Sequence, residues 1–194
     1  CGIKAIANKL NGTDDLHGLK IALQGLGHVG FDLAHQLHEA GAELIVSTHS
    51  NRKNMAVAVE QWGAKEVSDE EIYGVECDIL SPCALGATIN HTTLSMLKCR
   101  AIAGAANNQL LDDECGQILH NKGILYAPDF IINGGGVINA AQESFTVYNK
   151  EKVLKQVENI YNTISWIVDE SKSSNIPEGI IARNFAEDRI KNGL

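Results

Sequence analysis

The sequence predicts an α/β fold: a doubly wound, mostly parallel sheet with flanking helices at both termini. Short apolar runs alternate with helix-period amphipathic segments along the 194 residues. Such alternation implies parallel strands covered on both faces. The first apolar run after the opening helix ends in "GLGHVG", three glycines (25, 27 and 30) spaced G-x-G-x-x-G at a strand-to-helix junction. No internal repeat or low-complexity linker interrupts the pattern. The length is within reach of one large domain with a full core.

Each element has a local reason. Residues 3–10 read as a helix broken by "NGTDDLHG". "KIALQ" (20–24) is a buried strand. Helix character follows from His28 to Ala40, with Val29, Leu33, Ala34, Leu37 and Ala40 on one face and Gly41 as the stop. "ELIVS" (43–47) is the second strand, and residues 54–62 form a helix ended by Gly63. A short strand at 65–67 precedes a turn of helix in which Ser68 and Glu71 form a capping box. "CDILSP" (77–82) is a strand, "NHTTLSMLK" (90–98) a helix capped by Asn90, and "RAIAGAA" (100–106) a strand. Asp112 opens a helix to about 121, and "GILYA" (123–127) is the last strand. Two long helices, 149–174 and 177–192, are separated by Pro177.

Composition narrows the function classes. Apolar residues make up 44% of the chain, ordinary for a globular protein. A net charge of -8 argues against nucleic acid or an anionic membrane surface as partner. No apolar run reaches the roughly 18 residues of a membrane span. The five cysteines (1, 77, 83, 99 and 115) include no C-x-x-C pair, which points to a reducing cytoplasm rather than a disulfide framework or zinc knuckle. "CGIKAIANKL" begins with Cys1 and reads as the middle of a helix, so a chain cut at a domain boundary is expected.

The glycine loop indicates a Rossmann-type dinucleotide-binding domain. Gly25 makes the tight turn, Gly27 lets the backbone approach a pyrophosphate, and Gly30 lets helix pack on strand. Leu26, His28 and Val29 fill the loop, and the phosphates take the positive end of the helix. A tight turn without ligand is the plainer alternative. His28 is read as a solvated first-turn residue. His35 and His38, with no third ligand in view, are read as a polar helix face, and no metal is expected.

Three further stretches, "YGVECDILSPCALGATIN", "AIAGAANNQL" and "YAPDFIINGGGVIN", together with "LQGLGHVG", resemble the cofactor domain of the leucine, phenylalanine and valine dehydrogenases within the glutamate dehydrogenase superfamily. The resemblance runs along essentially the whole chain. It implies a two-domain enzyme in which a first domain binds the amino acid and carries the catalytic lysines and an aspartate. It implies reversible oxidative deamination of a branched-chain or aromatic L-amino acid to a 2-oxo acid and ammonia, with NAD or NADP, in a homo-oligomer when full length. This chain, 1–194, matches the second domain only, with hinge or tail helices at about 1–17 and 149–194. No residue matches the family's catalytic lysine, so no catalytic residue is assigned and the chain alone is expected to be inactive.

Site residues follow from the same resemblance. Cys83 and Ala84 end the fourth strand beside the cofactor ribose; Cys83 also suits a small buried hydrophobe. Ala105, Asn107 and Asn108 follow the fifth strand, with Asn108 on the nicotinamide side; a capping turn is the alternative for the two asparagines. Asn133 matches the residue at the carboxamide or substrate. Gly134, Gly135, Val137 and Ala140 match substrate-pocket positions. Gly134 stands where the family usually has Ala, and Ala140 where leucine-specific relatives tend to have Val, which opens the pocket to a larger, aromatic side chain.

One expected part is missing. The ribose-binding acid of the family falls at Thr48. A carboxylate there accepts the ribose 2′-OH and repels a 2′-phosphate, whereas hydroxyls with a nearby Arg suit the phosphate. Thr48, Ser50, Arg52 and Lys53 supply these groups, so NADP is expected to be tolerated, a solvated loop being the alternative. A non-catalytic dinucleotide-binding or regulatory module is the competing function.

Overall fold

The computed structural model describes residues 1–145 and 148–192, without the Phe145 side chain. Six parallel strands, β1 (Lys20–Gln24), β2 (Glu43–Ser47), β3 (Lys65–Glu66), β4 (Cys77–Pro82), β5 (Cys99–Ile102) and β6 (Leu125–Tyr126), pair in the order β3-β2-β1-β4-β5-β6. The order reverses between β1 and β4, the switch point where such sheets open a crevice at their carboxyl ends.

The helices are α1 (Gly2–Asn11), α2 (His28–Glu39), α3 (Arg52–Trp62), α4 (His91–Leu94), α5 (Asp113–Asn121), α6 (Asp129–Ile132), α7 (Gly135–Phe145), α8 (Lys150–Glu158), α9 (Ile160–Ser174) and α10 (Glu178–Lys191). One sheet face is covered by α1, α2, α3 and α9, through Ile6, Leu37, Met55 and Ile164 among others. The other is covered by the 3-10 turn Glu71–Gly74, α4 and α5, through Ile72, Leu94 and Leu119. The first and the penultimate helix therefore share a core, and a Lys9–Asp169 ion pair of 2.7 Å joins them at the surface. Of the tail expected at 149–194, residues 193 and 194 lie outside the described residues.

Several elements are shorter than their sequence patterns. The strand expected at 100–106 ends at Ile102, because Pro82 on the neighbouring strand has no N–H to continue the ladder. A Cβ on Gly104 would stand 2.2 Å from the Pro82 carbonyl oxygen, so the chain peels away there, and the Ala106 N–H returns to that carbonyl at 2.9 Å. The helix expected at 90–98 keeps one turn. Its Asn90 capping box with Thr93 is present, but the Ser95 hydroxyl donates back to the Thr92 carbonyl and the helix stops. The helix expected at 149–174 breaks at Asn159, whose side chain accepts from Asn162 Nδ2 and whose carbonyl accepts from the Thr163 hydroxyl. The capping box of Ser68 and Glu71 forms reciprocally, at 3.0 and 3.1 Å.

Candidate functional site

The carboxyl ends of β1, β2, β4 and β5 gather the loops that the sequence singles out. Gly25 has φ +97°, and a Cβ there would lie 2.7 Å from Ala84 Cβ. A Cβ on Gly30 would lie 2.0 Å from the Gly25 carbonyl oxygen and 3.1 Å from Cys83 Cβ. On Gly27 it would meet nothing within 4 Å. The outer two glycines are thus closed by packing, while the middle one faces open space at the first turn of α2. Gly27 is the N-cap of α2 and has no side chain, so no capping group covers the first N–H donors. The cradle fits the pyrophosphate of a dinucleotide, with the helix dipole pointing at it. His28 and Val29 are exposed beside it. Leu26 is fully buried, so its contribution is backbone alone.

The loop after β2, where the sequence places the ribose, is tied to this one. The Gly25 N–H donates to the Ser47 carbonyl at 2.8 Å, and Asn54 Nδ2 on α3 donates to the Leu26 carbonyl at 2.8 Å. Thr48 is half-buried and its hydroxyl accepts the Asn51 N–H at 3.4 Å. Ser50 and Arg52 are exposed, and the Arg52 N–H donates to the Ser50 carbonyl. The Arg52 guanidinium, however, already meets Glu66 at the end of β3, at 2.7 Å. That bond and charge hold its pKa above the ordinary value.

On the other side of the switch point, the loops after β4 and β5 lock together. The Cys83 N–H donates to the Gln24 carbonyl at 2.8 Å, and burial pushes its thiol pKa up, so the group is a neutral packing thiol. The Ala87 N–H reaches the Asn108 carbonyl at 2.6 Å, with both residues at positive φ. Asn108 donates its backbone N–H to the Asp129 carboxylate. Asn133 Nδ2 donates to Asn107 Oδ1 at 2.6 Å, which brings the loop after β5 against the end of α6. Ala105 borders Gln109, whose side chain is buried and donates to the Gly104 and Ala106 carbonyls.

The chain after Asn133 continues into α7. None of Gly134, Gly135 and Gly136 has positive φ, so no backbone conformation requires the triple glycine. Gly136 has open space where a Cβ would be. Val137 and Ala140, one turn apart on α7, are both exposed, Val137 at 74%. The sequence pattern did not disclose α6 and α7, because three glycines at a helix start oppose helix propensity. It also missed Asn54, Glu66 and Asp129, which are polar residues in ordinary surroundings until the fold brings them to the crevice.

Buried polar atoms without a hydrogen-bond partner lie close by: Gln24 Oε1 and Ser47 Oγ, the last residues of β1 and β2, and Gln109 Oε1. Gln24 Nε2 donates to the Tyr73 hydroxyl at 2.5 Å. Among the described residues, His91, Asp112 and Cys115 also place donor atoms within 4.8 Å of one another, but Asp112 there caps α5 and accepts the Cys115 N–H. No helix among the described residues is long and apolar enough to cross a membrane.

Comparison with known proteins gives this crevice a family. The leucine dehydrogenase of Bacillus cereus is 51% identical over 189 residues, which are 97% of this chain and 51% of that protein. The L-tryptophan dehydrogenase of Nostoc punctiforme is 44% identical over 192 residues, 98% of this chain and 54% of that protein. The crystal structure of L-tryptophan dehydrogenase from Nostoc punctiforme superposes with a TM-score of 0.92 at 43% identity, over 98% of this chain and 57% of that one. The chain thus spans about half the length of the curated relatives it matches. The profile of the Glutamate/Leucine/Phenylalanine/Valine dehydrogenase family matches residues 42–187, and the chain belongs to that family.

Proposed function

We propose that this chain is the dinucleotide-binding half of an L-amino-acid dehydrogenase that interconverts an L-amino acid with its 2-oxo acid and ammonia. The supporting observation is the contrast within one loop: Gly25 and Gly30 have no room for a Cβ, while Gly27 opens onto the uncapped start of α2. A simple tight turn has no need of that opening. NAD is the proposed cofactor, with NADP tolerated, because the ribose end presents Thr48 and Arg52 in place of a carboxylate on β2. A nicotinamide cofactor supplies a hydride acceptor or donor when bound.

This chain's own residues then do three things. The backbone N–H groups at the start of α2 hold the phosphates. Thr48 and the α3 start hold the adenosine ribose. Asn107, Asn108 and Asn133, fixed to one another and to Asp129, orient the amide end of the cofactor near the substrate. Val137 and Ala140 line the side-chain pocket, and the small Ala140 suits a large apolar or aromatic substrate. No residue of this chain matches the family's catalytic lysine by motif. That group belongs to the portion of the relatives that this chain does not span, which acts with this half across a cleft in the full-length, oligomeric enzyme.

The test is an assay of the full-length protein against a panel of L-amino acids with NAD and with NADP. Turnover of a branched-chain or aromatic amino acid is expected. Absence of both dinucleotide binding and turnover defeats the reading.

A further inference from the structure

We propose that Glu66 sets the cofactor discrimination of this domain by occupying Arg52. The inference rests on the dinucleotide reading above and adds a residue to it. An arginine beside the ribose end is the group that a 2′-phosphate needs, since its planar fork matches phosphate oxygens. Arg52 opens α3 directly after the loop that carries Thr48 and Ser50, and its backbone N–H donates to the Ser50 carbonyl at 3.0 Å, so it flanks the proposed ribose end. Its charge is already matched, because Glu66 Oε1 lies 2.7 Å from Arg52 Nη1. Glu66 ends β3 in register with Val46, one residue before the last residue of β2, which places a carboxylate at the same sheet edge as the ribose loop.

The acid missing at Thr48 is therefore replaced in effect, though not in place. A 2′-phosphate reaching for Arg52 must displace Glu66 and then remain near its negative charge. A 2′-OH meets no such obstacle. The pair is exposed, with side-chain exposures of 65% for Arg52 and 41% for Glu66. An exposed pair is weak, so it biases the choice and does not forbid NADP. A merely structural pair would join α3 to β3 without any preference between cofactors.

The experiment uses the full-length protein, with dissociation constants for NADH and NADPH measured by fluorescence titration at two salt concentrations. The variants are Glu66→Gln, Arg52→Gln and the double variant. Glu66→Gln is expected to tighten NADPH relative to NADH by about fivefold or more at low salt, with less effect at high salt. The double variant is expected to lose that gain, because the gain acts through Arg52. An unchanged NADPH-to-NADH ratio in Glu66→Gln overturns the proposal, as does a gain that persists without Arg52. If wild type binds neither cofactor, the dinucleotide reading itself fails, and this proposal with it. Binding of NADH with no ratio change refutes only the role of Glu66.

Discussion

Gly27 and Gly30 differ in what a methyl group would meet, and that difference separates binding from folding. At Gly30 an added Cβ collides with the Gly25 carbonyl, a backbone atom that cannot step aside. Gly30→Ala is expected to cost about 2–3 kcal/mol, read as a lower urea midpoint. At Gly27 there is no neighbour to displace. Gly27→Ala is expected to lose only about 1 kcal/mol, the cost of Ala at an N-cap, yet bind NADH about tenfold or more weakly, because the methyl enters the space proposed for phosphate. Equal stability losses in the two variants would contradict this division. A third residue tests the interior. Glu178 is 3% exposed, and burial holds its pKa above the usual carboxylate value, against hydrogen bonds from its own and the Tyr126 backbone. A raised acid pKa means the folded state binds the proton more tightly, so this contribution to stability falls as pH rises from the unfolded carboxylate value through the folded one. Glu178→Gln is expected to raise the melting temperature at pH 7, with the advantage shrinking as pH falls towards the ordinary carboxylate range.

At the scale of elements, local chemistry set the helix caps, Gly63 after α3 included, better than the strand ends. Asn90, Asp112 and the Ser68–Glu71 pair all cap as their side chains suggest, since a cap is decided by three or four consecutive residues. Asn90→Ala is expected to cost about 1 kcal/mol in chemical denaturation. Strand ends depend on distant partners. Pro82 stops β5 from the neighbouring strand, and nothing in "RAIAGAA" announces it. The glycine loop was legible because strand, loop and helix are contiguous. The Arg52–Glu66 pair was not, because 14 residues separate its members and only the β2–β3 pairing joins them. Val137 and Ala140 were placed by resemblance, and the structure adds only that they share an exposed face of α7.

At the scale of the whole molecule, the sequence carries the glycine loop but no match to the family's catalytic lysine motif. The isolated chain is expected to bind NADH and to show no amino-acid oxidation, measured by titration and by absorbance of the reduced cofactor. Turnover by this chain alone would contradict that expectation. The Asn54 bond to the Leu26 carbonyl has a consequence for anyone reshaping this protein. The loop after β2 and the glycine loop are fastened through one helix start, so a transplanted segment 48–53 would drag its neighbour unless residue 54 kept its amide. A graft intended to switch cofactors has to be drawn one residue longer than the contacts with the ribose suggest, and judged by phosphate affinity as well as by preference.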